Sequence, residues 1–469
     1  MKRFFALLIS ALMLFGTLAS CGEQPNEQPT TSELPGTSSE EPGTDPATEP
    51  KTEPETEPVS TEEPATSKYE TEYVAPEDGS FTICGIPLSE YTEVVYLPAR
   101  DELSFVNPAD YKNKFLEITE SAIGMELEIK IAKNEKMFTE KRYEHEILFG
   151  TGFVRDGIPE PDLSKTYYGV TADGTIYFCS PSVSVYSYLW ELFLEEFCGV
   201  PLKSGQRSGG CSVSECYREL PNFTAESAQA LGYSQVFSDE FDGAELDLSV
   251  WKIKHEGDMG GYFETASQDF LRDGDLILRG EWLEDGPYGE GWYTGDIGLI
   301  QGYARGYFES RIQCSKCNGR SVDFWSAFWI QGPSPYNAET SQGGIGPGGA
   351  EIDIMENFGP DHHTSCVYCG WGEGSGGLLM DFVAVPNLGN RYDEEYHIYG
   401  LLWDENYYQV YLDGVLVHCS DLKAGTSSVE EEVRFSLCAR QGGLPDRIKG
   451  EPREMKVDYL RIWQRSTEE

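Results

Sequence analysis

Basic residues are scarce in this chain. Lys and Arg total 35 against 80 Asp and Glu, and the resulting formal charge of −45 repels phosphate backbones and anionic membrane surfaces. Nucleic acid is thereby disfavoured as a partner, whereas a neutral polysaccharide carries no such penalty. Long apolar runs are scarce too. The run from Phe4 to Leu18 is too short for a comfortable membrane span, which needs about 20 apolar residues. Between Gly22 and Gly79 the chain is almost all Pro, Thr, Ser, Glu and Gly, with Thr-Glu-Pro recurring at 48–50, 52–54 and 56–58. Such a stretch has too little apolar surface to offset its ordering entropy, so 21–79 reads as a disordered, extended spacer. Convincing helical patterns are few after Phe223. What is present in quantity is aromatic: Phe, Trp and Tyr make up 13% of the chain, ample flat surface for stacking on sugar rings.

The first residues read as an export signal over 1–20, with Lys2-Arg3 ahead of the apolar run and Leu18-Ala19-Ser20-Cys21 at its end. A Cys directly after small residues resembles the bacterial lipoprotein cleavage box. Cys21 would then carry a lipid, anchoring the protein at the extracellular face of a bacterial envelope without spanning the membrane. The spacer would hold the folded part within reach of a large substrate.

At 469 residues the chain suggests two folded domains besides these segments. The first, 80–222, reads as a small α+β domain. Met125, Leu127, Ile129 and Ile131 alternate with charged residues as in a half-buried strand. Tyr167 to Cys179 reads as a hairpin turning at Asp173-Gly174. Ser180-Pro181 opens a helix on which Val183, Tyr186, Trp190, Phe193 and Phe197 form an inward stripe. Together with Glu146-Ile-Leu-Phe-Gly150, these elements loosely resemble the non-catalytic domain preceding the barrel of family 20 hexosaminidases and α-glucuronidases. The second domain, 223–469, has many short alternating strands and reads as all-β.

Within it, Gly348 to Gly359 concentrates the chemistry. Glu351, Asp353 and Glu356 alternate with Ile352, Ile354 and Met355, a strand with one apolar and one acidic face. Residue 356 lies at an odd offset from 351 and 353, so a β-bulge near Ile354-Met355 is needed to bring it to their face. Crowded carboxylates cannot all ionise at their free pKa values. One stays protonated beside a charged neighbour, which supplies an acid and a nucleophile together.

The Glu-x-Asp-x-x-Glu pattern resembles glycoside hydrolase family 16, in its laminarinase-like branch. The likeness extends to Phe237-Ser-Asp-Glu-Phe-Asp-Gly243, Leu246-Asp-Leu-Ser-Val-Trp251, Gly306-Tyr-Phe-Glu-Ser-Arg-Ile312, Trp325-Ser-Ala-Phe-Trp329, Tyr396 to Trp403, Val410 to Val417 and Val457 to Trp463. It implies a β-sandwich jelly roll whose concave sheet forms an open cleft. It implies an endo-acting, retaining β-glycanase, with Glu351 as nucleophile, Glu356 as acid and then base, and Asp353 as their hydrogen-bonded partner. The substrate class closest at hand is β-1,3- or β-1,3-1,4-glucan. A β-galactan or mucin-type glycan is the alternative, as is a surface glycan-binding protein that has lost catalysis. No cofactor is required for the chemistry, although the family often carries a structural calcium. The protein is expected to be a monomer.

Trp325 and Trp329 share one strand face and are the first candidates for sugar subsites. Glu309 and Arg311 share a face on what reads as a neighbouring strand, where they would bind a sugar hydroxyl or pair with each other. The chain has Ser326 where the family usually has Pro. It has Cys366-Val-Tyr-Cys-Gly-Trp371 where a His often reaches the cleft, so Tyr368 or Trp371 is expected there. Cys314-x-x-Cys317 and Cys366-x-x-Cys369 suit either a four-thiolate structural zinc or disulfides, with buried free thiols as the remaining reading.

Overall fold

The computed structural model describes residues 80–97, 108–124, 126–132, 135–198, 211–318, 321–337, 345–360, 362–370, 377–386, 388, 391–422, 425–439, 444 and 446–465. The signal and spacer readings, Cys21 included, and the Trp371 subsite fall outside these residues.

Two β-sheets packed face to face dominate the structure. The sheet carrying the acids has seven strands in the order Trp251–Ile253, Asp296–Leu299, Glu432–Ala439, Phe324–Gln331, Glu351–Asn357, His362–Cys369 and Leu379–Pro386. The facing sheet is built on Arg453–Arg465, flanked by Asp275–Leu283 on one side and Gly306–Gln313 on the other, and runs on through His397–Trp403, Tyr408–Leu412 and Val415–Ser420. Neither sheet closes into a barrel, and the architecture is an all-β jelly-roll sandwich. Sequence alternation explains the layering. In Phe324–Gln331 the even residues Phe324, Ser326, Phe328 and Ile330 are fully buried, while Trp325, Trp329 and Gln331 are half-exposed on the other face. Trp251, Trp403 and Trp463 fill the sandwich core, and two of these indoles are satisfied there. Trp251 Nε1 donates to Asp239 Oδ2 at 2.8 Å and Trp403 Nε1 to the Ser427 carbonyl at 3.0 Å. Each buried side chain of this size stabilises the fold by roughly 1.5–3 kcal/mol.

Ahead of the sandwich lies a six-stranded mixed sheet in the order Lys130–Ala132, Glu93–Leu97, Glu146–Gly150, Ile176–Cys179, Thr166–Val170 and Cys216–Leu220. Its parallel centre is buried on both faces, so Glu146–Gly150 lacks any polar-apolar alternation. The Thr166–Val170 and Ile176–Cys179 strands form a hairpin whose turn takes Gly174 through a φ of +83°. Of the sequence pattern from Met125 to Ile131, the described residues form a strand at Lys130–Ala132, and Met125 lies outside them. The helix expected from Ser180-Pro181 begins as a single 3-10 turn and becomes regular at Tyr186–Cys198. Its aromatic stripe is packed inward, with Trp190 stacked on Phe193 at 5.1 Å.

This α+β layer packs against the sheet that does not carry the acids. Ser184 Oγ donates to the Val417 carbonyl at 3.2 Å, and the Tyr188 and Tyr407 rings meet edge-on at 5.1 Å. A cavity of about 280 Å³ remains between the layers, lined in part by Tyr188, Phe223, Gln409 and Leu416. It lies across the sandwich from the acids. The folded layers belong to one compact unit spanning Glu62–Glu469.

Candidate active site

The acidic strand contains one extra residue between Asp353 and Glu356. Along its neighbour, Asp353 pairs with Cys366 and Glu356 with Thr364, three residues against two. On the other side Trp329 pairs with Asp353 but Phe328 with Met355, so the register shifts at the same place. Ile354 and Met355 consequently both enter the core, fully buried, and Glu356 stays on the cleft face beside Ala327. The acids are brought to one face, where Asp353 feels the charges of Glu356 and Glu351, and Glu356 that of Glu351.

Their surroundings differ. Glu351 accepts from the Tyr368 hydroxyl and from Gln331 Nε2, the latter at 3.3 Å. Burial raises its pKa, while the Tyr368 hydrogen bond, the Arg434 charge and the Gln331 hydrogen bond pull it back. Glu356 accepts from Thr364 Oγ1 at 3.2 Å. Its pKa is pushed up to about 7, first by burial and then by the Glu351 charge, with only the Thr364 bond opposing. Asp353 is held well above the usual carboxylate range by burial and by the charges of Glu356 and Glu351. The site thus offers one carboxylate with three groups favouring its charge, and two carboxyls biased toward the protonated form. That pairing can attack an electrophilic carbon and donate a proton to its leaving group.

Trp325 and Trp329 lie on the cleft face. The Trp325 ring packs against Phe358 at 5.3 Å. Trp329 donates from Nε1 to Ser436 Oγ at 3.1 Å, and the Arg434 guanidinium covers one face of its ring at 3.9 Å. Arg434 in turn donates to Gln331 Oε1 at 2.8 Å and pairs with Asp296. Arg434, Gln331 and Thr364 were not anticipated. Gln331 was in reach, since it keeps the odd phase of Trp325 and Trp329. Arg434 and Thr364 owe their positions to strand pairing, which period alone does not reveal.

Glu309 and Arg311 require correction. The Gly306–Gln313 strand belongs to the opposite sheet, between Arg453–Arg465 and His397–Trp403. Glu309 accepts from Tyr307 and Tyr459 hydroxyls at 2.8 and 2.9 Å, and Arg311 pairs with Asp458 at 2.6 Å. Phe308, Ser310 and Ile312 occupy the inward face of that strand. The alternate face, with Glu309 and Arg311, therefore points away from the cleft.

Of the three readings of the cysteine pairs, the structure takes the buried free thiols over the zinc or disulfide. Cys314, Cys317, Cys366 and Cys369 are buried free thiols. Residues three apart on a strand face opposite ways. Accordingly Cys369 sits in the core, while Cys366 feels the charges of Asp353 and Glu356. Cys314 lies 3.8 Å from both Met355 Sδ and the Tyr399 hydroxyl, and Cys317 lies beside Asn357. Among the described residues they form neither disulfide nor four-thiolate group. Among the described residues, one group of three His, Asp and Glu side chains brings its ligand atoms within 4.8 Å of one another, namely His255, Glu264 and Asp296.

Residues 299–460 match the family model described as glycosyl hydrolases family 16. The chain is 22% identical over 277 residues to glucan endo-1,3-beta-glucosidase A1 of Niallia circulans, covering 50% of this chain and 38% of that protein. It is 25% identical over 197 residues to beta-porphyranase E of Zobellia galactanivorans, covering 39% and 66% respectively. The chain thus spans well under half the length of the first relative. Among solved structures it resembles LamAcat of Zobellia galactanivorans, with 20% identity, a TM-score of 0.41, and coverage of 50% of this chain and 99% of the other.

Proposed function

We propose, from the family 16 match over residues 299–460, that this chain is an endo-acting, retaining β-glycanase and that its substrate is a β-1,3- or mixed-linkage glucan. The observation that carries the reading is the unequal environment of Glu351 and Glu356. Glu351, with Tyr368, Gln331 and Arg434 favouring its charge, is the nucleophile. Its carboxylate attacks the anomeric carbon as Glu356 passes its proton to the glycosidic oxygen, which leaves with the electron pair. A covalent glycosyl ester on Glu351 results. Glu356, now charged, takes a proton from water, the water oxygen attacks the same carbon, and Glu351 leaves with its charge restored. Two inversions return the β-anomer.

Asp353 sits between the two and buffers their charges. Trp325 and the open side of Trp329 are flat apolar surfaces at the right place to meet sugar rings. The glucan assignment draws on the relative named for endo-1,3-glucosidase activity. A galactan is the second reading, because another relative is named a porphyranase.

A panel of laminarin, mixed-linkage glucan, agar-type galactan and mucin glycans, scored by product size, tests the reading. Internal cleavage of laminarin with β-anomeric product at the first instant by proton NMR is the expected result. Early α-anomer overturns the mechanism, and cleavage of galactan alone overturns the substrate.

A further inference from the structure

At one end of the acid-bearing sheet, three separate segments converge on a polar cluster that the proposed glycosidase chemistry does not use. His255 follows the Trp251–Ile253 strand, Glu264 ends Phe263–Glu264, and Asp296 begins the strand where the chain crosses between the sheets at Gly295. His255 Nδ1 lies 3.0 Å from Glu264 Oε2 and 3.5 Å from Asp296 Oδ2. Ligand atoms held at about 2.0–2.2 Å from one ion in tetrahedral array stand roughly 3.3–3.6 Å apart. The 3.5 Å spacing falls in that range, the 3.0 Å spacing just short of it as in an N–H···O ion pair, and the ligand atoms of all three side chains lie within 4.8 Å of one another.

A second observation points the same way. Glu264 and Asp296 are only 2% and 5% exposed, yet Asp296 Oδ1 has no hydrogen-bond partner. Asp269 is packed beneath them, so close to Gly295 that a Cβ there would stand 1.8 Å from its Oδ1. Neither Asp269 oxygen makes a well-formed hydrogen bond, although the Asp296 N–H lies near enough to offset part of its charge. The Thr294 hydroxyl beside them is buried and unpartnered as well. The cations at the cluster are Arg434 and His255, whose pKa is raised to about 9 by hydrogen bonds to Asp296 and Glu264, and the buried carboxylates Glu264, Asp296 and Asp269 outnumber them. Arg434 pairs with Asp296, whereas Lys254 is engaged by Glu432 at 2.7 Å, and Glu256 adds another negative charge nearby. Buried carboxylates in such surplus call for a compact positive charge.

We propose that His255, Glu264 and Asp296 bind a divalent transition-metal ion, Zn²⁺ or Mn²⁺, with Asp269 behind them and Arg434 orienting Asp296. One imidazole among carboxylates suits these ions better than Ca²⁺ or Mg²⁺, which take oxygen alone. The ion ties the two sheets together where the chain crosses between them. Its influence reaches the cleft through Asp296, then Arg434, then the Trp329 ring that Arg434 covers.

The test uses the full chain freed of metal by a chelator, then titrated with Zn²⁺, Mn²⁺ or Ca²⁺ while heat and melting temperature are followed. One equivalent of Zn²⁺ or Mn²⁺ is expected to bind and raise the melting temperature by several degrees. His255 is half-exposed, so His255→Ala should fold normally. It and Glu264→Gln should each weaken that equivalent at least tenfold, with the circular dichroism unchanged. Absence of binding by either ion at millimolar concentration overturns the proposal. So does a response that persists in both variants or appears with Ca²⁺ alone, since that ion sits elsewhere. None of these readouts depends on glycan cleavage, so failure here is distinct from failure of the glycanase reading.

Discussion

The Arg434 guanidinium lies 3.9 Å from the centre of the Trp329 ring, with the Trp329 indole N–H held by Ser436 on the same strand as Arg434. One face of the indole is therefore spoken for, and its plane is fixed before any sugar arrives. Arg434→Lys keeps the charge but loses the planar stack and the fork that joins Gln331 and Asp296. A stack weakened by about 1 kcal/mol corresponds to roughly a 5-fold change. We expect KM to rise by about that factor with kcat within about threefold. A kcat-only loss in steady-state kinetics would count against Trp329 as a platform.

Glu351→Gln should lower kcat by about 10³-fold or more, because no other carboxylate on the strand has two donors and an Arg charge favouring its ionised form. Azide added to Glu351→Ala should restore part of the rate and give an α-linked azide product. Full turnover by the Gln variant in the same assay sinks the nucleophile assignment.

The alkaline limb of the rate profile should fall near pH 7, where Glu356 loses the proton it must donate. Thr364 donates to the charged form of Glu356. Thr364→Val removes that bond, favours the protonated acid and should move the alkaline limb to higher pH by about half a unit to one unit. Because the acids are coupled, the limb belongs to the group as a whole. A limb displaced to lower pH would mean that Thr364 does not act on the proton donor.

Strand period carried much of this architecture in the sequence. The Trp325 and Trp329 face, and the need for an extra residue near Ile354-Met355, both follow from a side-chain repeat of two. What period cannot supply is which strands pair and which sheet they join. Glu309 and Arg311 show the cost: their alternation is correct, but their strand lies in the opposite sheet. The CxxC pairs show it again, because a spacing that suits a zinc loop sends Cys366 and Cys369 to opposite faces when the segment is a strand. Asp296 and Arg434 are 138 residues apart, and only folding makes them neighbours.

The thiols give a further prediction. Since Cys314, Cys317, Cys366 and Cys369 are buried and unbridged, these four hold no loop-closing crosslink for a reductant to release. Alkylation under denaturation without reductant, read by mass spectrometry, should label all four. Protection of any pair would show a bridge that the folded geometry does not contain.

Glu356 should also make the protein less stable in alkali. Its pKa is about 7 in the folded chain against an ordinary 4.5, so the native state holds the proton more tightly than the unfolded chain does. Stability from this group is fully present below pH 4.5 and is lost as the pH rises to about 7. A difference of that size corresponds to about 3 kcal/mol, at about 1.4 kcal/mol per pKa unit. Gln at this position has no proton to lose. Glu356→Gln should therefore match the parent at pH 4 and exceed it at pH 8 by up to about 3 kcal/mol, less whatever Glu351 takes back by ionising more easily. Urea unfolding at the two pH values measures this directly. Equal stability of variant and parent at pH 8 would mean that the Glu356 carboxyl ionises in the native cleft without penalty, and that it cannot hold a proton for the leaving group at neutral pH.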